Sequence, residues 1–101
     1  MYETRKEAAD GCKYEASMAK RFSEAAIKKA EAGECKAAWN LADTARMAAR
    51  CAAQAHEALW AITNGKLTDE EFEAFEAAEI AQADATKAER AAANAVAKLN
   101  A

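Results

Sequence analysis

Residues 64–72, NGKLTDEEF, decide where one helix ends and the next begins. Asn64 and Gly65 tolerate the left-handed backbone conformation that closes a helix. Thr68 and Glu71 have the spacing of a capping box, in which each side chain accepts a hydrogen bond from the backbone N–H of the other residue. A hydrophobic staple is predicted around this cap from Leu67 and Phe72. The stretch therefore predicts a sharp turn between two helices.

The second half of a calcium-binding EF-hand loop resembles the same stretch. With Gly65 at loop position 6, Glu71 falls at position 12, where the loop uses a bidentate glutamate. Positions 1 and 3 then fall on Trp60 and Ile62, which have no side-chain oxygen to offer a hard cation. The spacing therefore favours a structural turn, and we predict no metal site.

Two further signals divide the rest of the chain. Thr4 and Glu7 repeat the capping-box spacing, and Gly33 is suited to close a helix. The 101 residues include no proline, and about a third are alanine, the best helix former. Gly11 leaves open a kink or a short extra helix, because an interior glycine costs about 1 kcal/mol relative to alanine. The sequence predicts a single all-α domain, an antiparallel up-down-up three-helix bundle with helices over about residues 5–32, 34–63 and 68–99.

Alanine fills most of the predicted inward positions, so the core is expected to be thin and the helices close together. At 100° per residue, Cys12 falls on the core face of the first helix, and Cys51 and Ile62 on that of the second. In the third helix, the inward positions from residue 81 onward are all alanine: Ala81, Ala85, Ala88, Ala92 and Ala95. Alanine buries little apolar area. We therefore expect this end to fray or to be covered by a second chain.

Charge and composition restrict the partners. The net charge is −3 with both signs interspersed, unlike the basic face of a general nucleic-acid binder. No run approaches the roughly 18 apolar residues of a membrane span. The beginning of the chain is charged where a signal peptide would be apolar, and the cysteines are widely spaced. We expect a cytoplasmic protein that contacts neither nucleic acid nor membrane directly.

Acidic side chains are concentrated at the start of the third helix. Six carboxylates lie between residues 69 and 79 with no basic residue among them. The helix dipole stabilises acids in the first turn only. Asp69, Glu73 and Glu76 share one face and predict a negative patch; a solvated face kept for solubility is the alternative. The acidic residues predicted to bind a protein partner with a basic surface are Asp69, Glu70, Glu73, Glu76 and Glu79.

Trp39 is a second candidate for partner binding. It lies away from the main apolar stripe of the second helix, near Asp43, Arg46 and Arg50. An exposed tryptophan surrounded by arginine is typical of an interface hot spot. The alternative is that Trp39 covers the end of the bundle near the first turn.

The chain has few residues suited to catalysis or cofactor binding. His56 is the single histidine, and the residue three before it is Ala53, whereas a di-iron bundle needs two Glu-x-x-His pairs. Cys12 or Cys51 could approach His56 in space, but a reactive thiol needs an electropositive, partly exposed setting. We expect neither a catalytic site nor a cofactor, and keep a thiol-dependent enzyme or cofactor carrier as a remote alternative.

In size, helical class and acidic charge the chain is similar to small inhibitors encoded by phages and mobile elements. Anti-CRISPR proteins are one such group, and some of them block a positively charged nucleic-acid groove. The similarity covers these general properties and no motif. It implies a non-catalytic binding module whose acidic helix docks on a basic groove. The competing hypothesis is a structural bundle that self-associates through the alanine face of the third helix, so that monomer and homodimer both stay open.

Overall fold

The computed structural model of the protein describes residues 2–100 and contains three α-helices. They are α1 (Arg5–Glu31), α2 (Cys35–Thr63) and α3 (Asp69–Leu99). Each helix packs against both others, and the bundle measures 50 × 21 × 15 Å. The predicted all-α three-helix bundle is confirmed, and each predicted helix limit lies within about one residue of the observed one, the usual uncertainty of such boundaries.

The helix ends follow the local signals in the sequence. Thr4 caps α1, because its hydroxyl accepts a hydrogen bond from the backbone N–H of Glu7 at 3.1 Å. Gly33 follows the end of α1 with φ +79°, a left-handed conformation that glycine adopts without steric cost. Asn64 and Gly65 end α2 with φ values of 53° and 76°. Both turns are therefore short, and they make consecutive helices antiparallel.

Gly11 does not interrupt α1, which is continuous from Arg5 to Glu31. The short extra helix that the sequence left open is therefore not formed. The ring of Tyr2 lies directly over this glycine, and a Cβ at position 11 would clash with Cε1 of Tyr2. The glycine makes room for the aromatic ring that covers the beginning of the helix.

The core consists of alanine. Apart from Cys12 and Leu59, every buried hydrophobic residue in the described part of the chain is an alanine, and these two have the largest fully buried side chains. Small side chains allow helix axes to approach toward the lower end of the usual 8–10 Å range. Larger side chains such as Phe22 and Phe75 are only partly buried and pack around the edge of the alanine core. The expectation of a thin core is confirmed.

The alanine face of α3 is buried within the bundle. Ala88 and Ala92 form a cluster with alanines of the other two helices, and Ala81 and Ala85 belong to the larger cluster. Ala95 is also buried, and α3 stays helical to Leu99. The self-association hypothesis required this face to pair with its copy. In the bundle, α1 and α2 of the same chain cover this face, so its alanines are not exposed for such pairing.

Two predicted core positions on α2 are exposed instead. Cys51 lies on the surface, and Ile62 is 37% exposed. The apolar arc of α2 is wide, and the sequence prediction centred it wrongly. In the structure, Ala45, Ala52 and Leu59 face the core. Cys51 and Ile62 therefore point about 100° away from the core direction of α2. The helix turns its smallest apolar residues toward its neighbours.

Arg46 joins α2 to α3 by polar contacts. Its guanidinium pairs with Glu89 and donates hydrogen bonds to Thr86 at 3.1 Å and to Gln82 at 3.2 Å. Gln82 in turn donates to the backbone carbonyl of Ala49 at 2.6 Å. These bonds connect the two helices where the facing side chains are alanine and supply little burial.

The contact between Tyr2 and Gly11 can be tested with a double-mutant cycle. Gly11→Ala alone gains helix propensity but displaces the Tyr2 ring. In a Tyr2→Ala background the ring is absent, so Gly11→Ala should raise the free energy of unfolding by about 1 kcal/mol. Urea unfolding of the four proteins measures both effects. An equal gain in both backgrounds would show that the ring does not occupy the space above Gly11.

Candidate protein-binding surface

The turn between α2 and α3 fixes the start of α3. The Thr68 hydroxyl accepts a hydrogen bond from the Glu71 backbone N–H at 3.2 Å, and the Glu71 carboxylate accepts one from the Thr68 N–H at 2.9 Å. The predicted capping box is therefore confirmed. Leu67 packs against the core, whereas Phe72, its predicted staple partner, is 50% exposed.

Arg5 ties this turn to the beginning of α1. Its guanidinium forms a bidentate pair with Glu71, with N–O distances of 2.6 and 2.7 Å, and also donates to the backbone carbonyl of Lys66 at 3.0 Å. Hydrogen bonds from Arg5, and secondly from the Thr68 backbone, lower the pKa of Glu71 from 4.5 to about 2. The same pairing raises the pKa of Arg5. Glu71 is thus a structural carboxylate, nearly enclosed at the corner of the bundle.

The other five carboxylates at the start of α3 form what we call the acidic face. All five are exposed, and none forms an ion pair with any residue in the range 2–100. Asp69, Glu73 and Glu76 share the outward side of α3. Glu70 is turned toward α1, and Glu79 is turned toward α2.

Large apolar side chains interrupt the acidic face. Phe72 is 50% exposed and Ile80 is 58% exposed. The two side chains lie about two helical turns apart, beside the carboxylates of the acidic face. Neither side chain contributes to the enclosed core. The outward side of α3 is therefore both negatively charged and apolar.

Between α2 and α3, three aromatic rings form what we call the aromatic groove: His56, Trp60 and Phe75. The His56 and Phe75 rings stack with centroids 3.6 Å apart, and the Trp60 and Phe75 centroids are 5.6 Å apart at an interplanar angle of 35°. Glu57 of α2 and Glu79 of α3 also line the groove, whose volume is about 640 Å³. Trp60 is 53% exposed.

His56 is held by stacking. Its Nε2 atom is buried and makes no hydrogen bond to any described residue. A buried polar atom without a partner is unfavourable. The stacked contact with Phe75 instead fixes this ring as part of the wall of the groove.

Trp39 is not part of this surface. It is half-buried and, like Leu41, packs against the smaller alanine cluster. Its separation from Trp60 along α2 is about 30 Å, by the rise per residue. Arg46, one of the charged residues expected near Trp39, pairs instead with Glu89. The structure therefore does not bring Trp39 together with the acidic face.

The cysteines and the histidine lie in different parts of the bundle. Cys12 is in the core, where burial raises its pKa to about 11. Cys51 lines a groove between α1 and α2 with Tyr14, whereas His56 faces α3. The predicted core position is therefore correct for Cys12 and wrong for Cys51.

Sequence reasoning missed the aromatic groove. Trp60 and Phe75 are 15 positions apart and meet only because the turn folds α3 back along α2. A signal was present within α3, since Phe72, Phe75 and Glu79 are spaced by three and four residues and so share one side of a helix. The spacing could not show that Trp60 faces the same side.

Comparisons with models of known protein families, with curated proteins and with solved structures found no significant match to this chain. Across residues 2–100, no helix combines the length and the apolar character that a membrane crossing requires. Over the same range, no three His, Cys, Asp or Glu side chains cluster in an arrangement that could hold a metal ion. The kind of partner that this surface binds must therefore be inferred from its carboxylates and aromatic rings.

The pairing of Arg5 with Glu71 predicts a specific pH dependence. Because the pKa of Glu71 is lower in the folded state than its ordinary value of 4.5, its contribution to stability is complete above that pH. The contribution is lost as the pH falls toward about 2. Glu71→Gln keeps an acceptor for the cap but removes the charge. The stability difference between wild type and this variant should therefore shrink on acidification, measured by urea unfolding at each pH.

Glu24→Gln is the control, since Glu24 is exposed in the interior of α1, outside the first turn of a helix, and without an ion pair among the described residues. Its stability should follow that of the wild type through the same pH range. A constant difference between wild type and Glu71→Gln at all pH values would contradict the assigned pair.

The positions of the thiols predict three different reaction rates. Cys51 is exposed and should react first with a disulfide reagent, followed by the half-buried Cys35. Cys12 should react only when the protein unfolds, because it is enclosed and its pKa is about 11. Time-resolved thiol titration with and without denaturant measures this order. A native protein in which Cys12 reacts as fast as Cys51 would contradict the packing of α1.

Proposed function

We propose that the protein is a non-catalytic binding module whose acidic face docks on a basic groove of a nucleic-acid-processing protein complex and inhibits it. In this respect it resembles small inhibitors encoded by phages and mobile elements, such as anti-CRISPR proteins. The proposal places the protein in the cytoplasm, where thiols are kept reduced. The observation that carries it is the set of five exposed carboxylates of α3 that have no ion-pair partner within residues 2–100.

The fold itself does not use these carboxylates. Glu71 and Glu89 each pair with an arginine of a neighbouring helix, whereas no carboxylate of the acidic face forms an ion pair within residues 2–100. Like charges three or four residues apart repel each other, and the helix dipole favours only those in the first turn. Glu73, Glu76 and Glu79 lie beyond that turn. A basic partner would attract these carboxylates and so offset their repulsion.

The density of charge suits a surface that normally binds nucleic acid. The acidic face extends over about 15 Å of helix axis, or roughly one charge every 4 Å, by the rise per residue. One strand of duplex DNA carries a charge every ~3.4 Å along its axis. A groove lined with Lys and Arg for phosphates would therefore meet a similar number of negative charges on α3.

The apolar side chains add contact area to the charge. Phe72 and Ile80 are at least half exposed between the carboxylates. Full burial of an exposed side chain of this size contributes about 1.5–3 kcal/mol, so covering the exposed half of each would add roughly half of that. Binding through a helix that is already folded also avoids the cost of ordering a flexible segment. Electrostatic attraction would speed association, and apolar burial would slow dissociation.

Charge reversal tests the proposal. The protein is immobilised, partners are captured from a bacterial lysate and identified by quantitative mass spectrometry, and the retained partner is then challenged with a duplex oligonucleotide. We expect a basic nucleic-acid-binding protein that the oligonucleotide displaces. The double variant Glu73→Lys, Glu76→Lys should lose at least ten-fold in affinity, because two attractive contacts become repulsive, while circular dichroism shows unchanged helicity.

Glu24→Lys, Glu31→Lys is the matched control, because both residues are exposed on α1, unpaired within residues 2–100, and change the net charge equally. This control should bind as the wild type does. Equal loss in both variants would indicate a net-charge effect, and unchanged binding by the α3 variant would rule out the acidic face as the docking surface.

A further inference from the structure

The aromatic groove is partly open to solvent, although aromatic side chains form its walls. Trp60 is 53% exposed, yet its ring is fixed from two sides. Phe75 packs against it with a centroid distance of 5.6 Å, and a side chain at Gly65 would meet the indole at 3.0 Å. The exposed face of the ring is therefore held in one position before any ligand arrives.

The charges around the groove are of one sign. The residues that line it include two carboxylates, Glu57 and Glu79, and no lysine or arginine. The two carboxylates belong to different helices, so they flank the groove from opposite sides. Neither forms an ion pair within residues 2–100. An occupant that complements these features has a positive charge and a flat apolar surface.

We infer that the aromatic groove binds an arginine side chain of the partner protein. The guanidinium group is planar, so it stacks on the face of Trp60, and its N–H groups donate to carboxylates on either side. Lysine has the same charge but only a compact ammonium group, which does not stack and cannot form the bidentate contact. The inference rests on the proposed function, since it assigns one anchoring residue to the basic partner.

The two tryptophans make a direct test possible. In a two-dimensional NMR titration, the indole N–H of Trp60 reports on the groove and that of Trp39, about 30 Å away by the helical rise, serves as an internal control. The probes are an arginine-glycine repeat peptide and a lysine-glycine repeat peptide of equal length. The arginine peptide should shift the Trp60 signal, leave Trp39 unchanged, and bind about ten-fold more tightly than the lysine peptide.

Variants separate the groove from the acidic face. Trp60→Leu, which keeps an apolar side chain beside Phe75, should reduce the preference for arginine to about two-fold or less, and so should Glu57→Gln, which removes the groove carboxylate that lies outside the acidic face. Glu24→Gln, an exposed position on α1, should keep the full preference. Glu73→Lys, Glu76→Lys should weaken both peptides to a similar degree, because those carboxylates attract either cation.

The possible outcomes are distinct. Equal affinity for the two peptides, or no shift at Trp60, would overturn the arginine site and leave the proposed function standing. A Trp60 shift with ten-fold preference, combined with affinities for both peptides that Glu73→Lys, Glu76→Lys does not reduce, would support the arginine site and count against the acidic face as the docking surface. Binding of neither peptide would overturn the inference.

Discussion

Close packing of alanine against alanine is the constraint on which the rest of the bundle depends. Helices that face each other through single methyl groups approach closely, and they leave no room for large side chains between them. Leu59 and Cys12 are the largest side chains that the core encloses completely. The tryptophans, the phenylalanines, Met18 and Met47 must therefore lie at the edges of the helix contacts or on the surface. The composition of the core thus determines where the apolar binding surface forms.

A core of this kind gains less from burial than a leucine-rich one, so polar contacts have a larger part in fixing how the helices sit. Arg5 joins α1 to the turn before α3, and Arg46 joins α2 to the middle of α3. Both arginines pair with a glutamate on a different helix and also make further hydrogen bonds. The planar guanidinium suits these sites because it can serve several acceptors in fixed directions. Each pair limits sliding and rotation of α3, which alanine packing alone would allow.

The parts of the structure that the sequence predicted are those set by residues a few positions apart. The capping box of Thr68 and Glu71, the turn at Asn64 and Gly65, and the inward alanines of α3 all follow from local spacing.

What could not be predicted depends on how each helix is rotated about its own axis. The apolar arc of α2 is wide enough to allow several rotations, and the wrong choice placed Cys51 in the core. The pairing of Arg5 with Glu71, 66 positions apart, depends on how α1 packs against the beginning of α3. The groove formed by Trp60 and Phe75 was missed for the same reason, although the exposed carboxylates beside it follow from sequence alone.

The location of the candidate surface has a consequence for binding. The acidic face and the aromatic groove both lie at the end of the bundle that contains the α2–α3 turn, where the capping box, the Arg5 pair and Leu59 restrict movement. A surface held rigidly loses little conformational entropy when a partner arrives, so more of the contact energy remains as affinity. Trp39 lies at the opposite end, beside a cluster made only of alanine. Of the two aromatic candidates, Trp60 is therefore the one whose exposed ring is both close to the negative charge and fixed in place before binding.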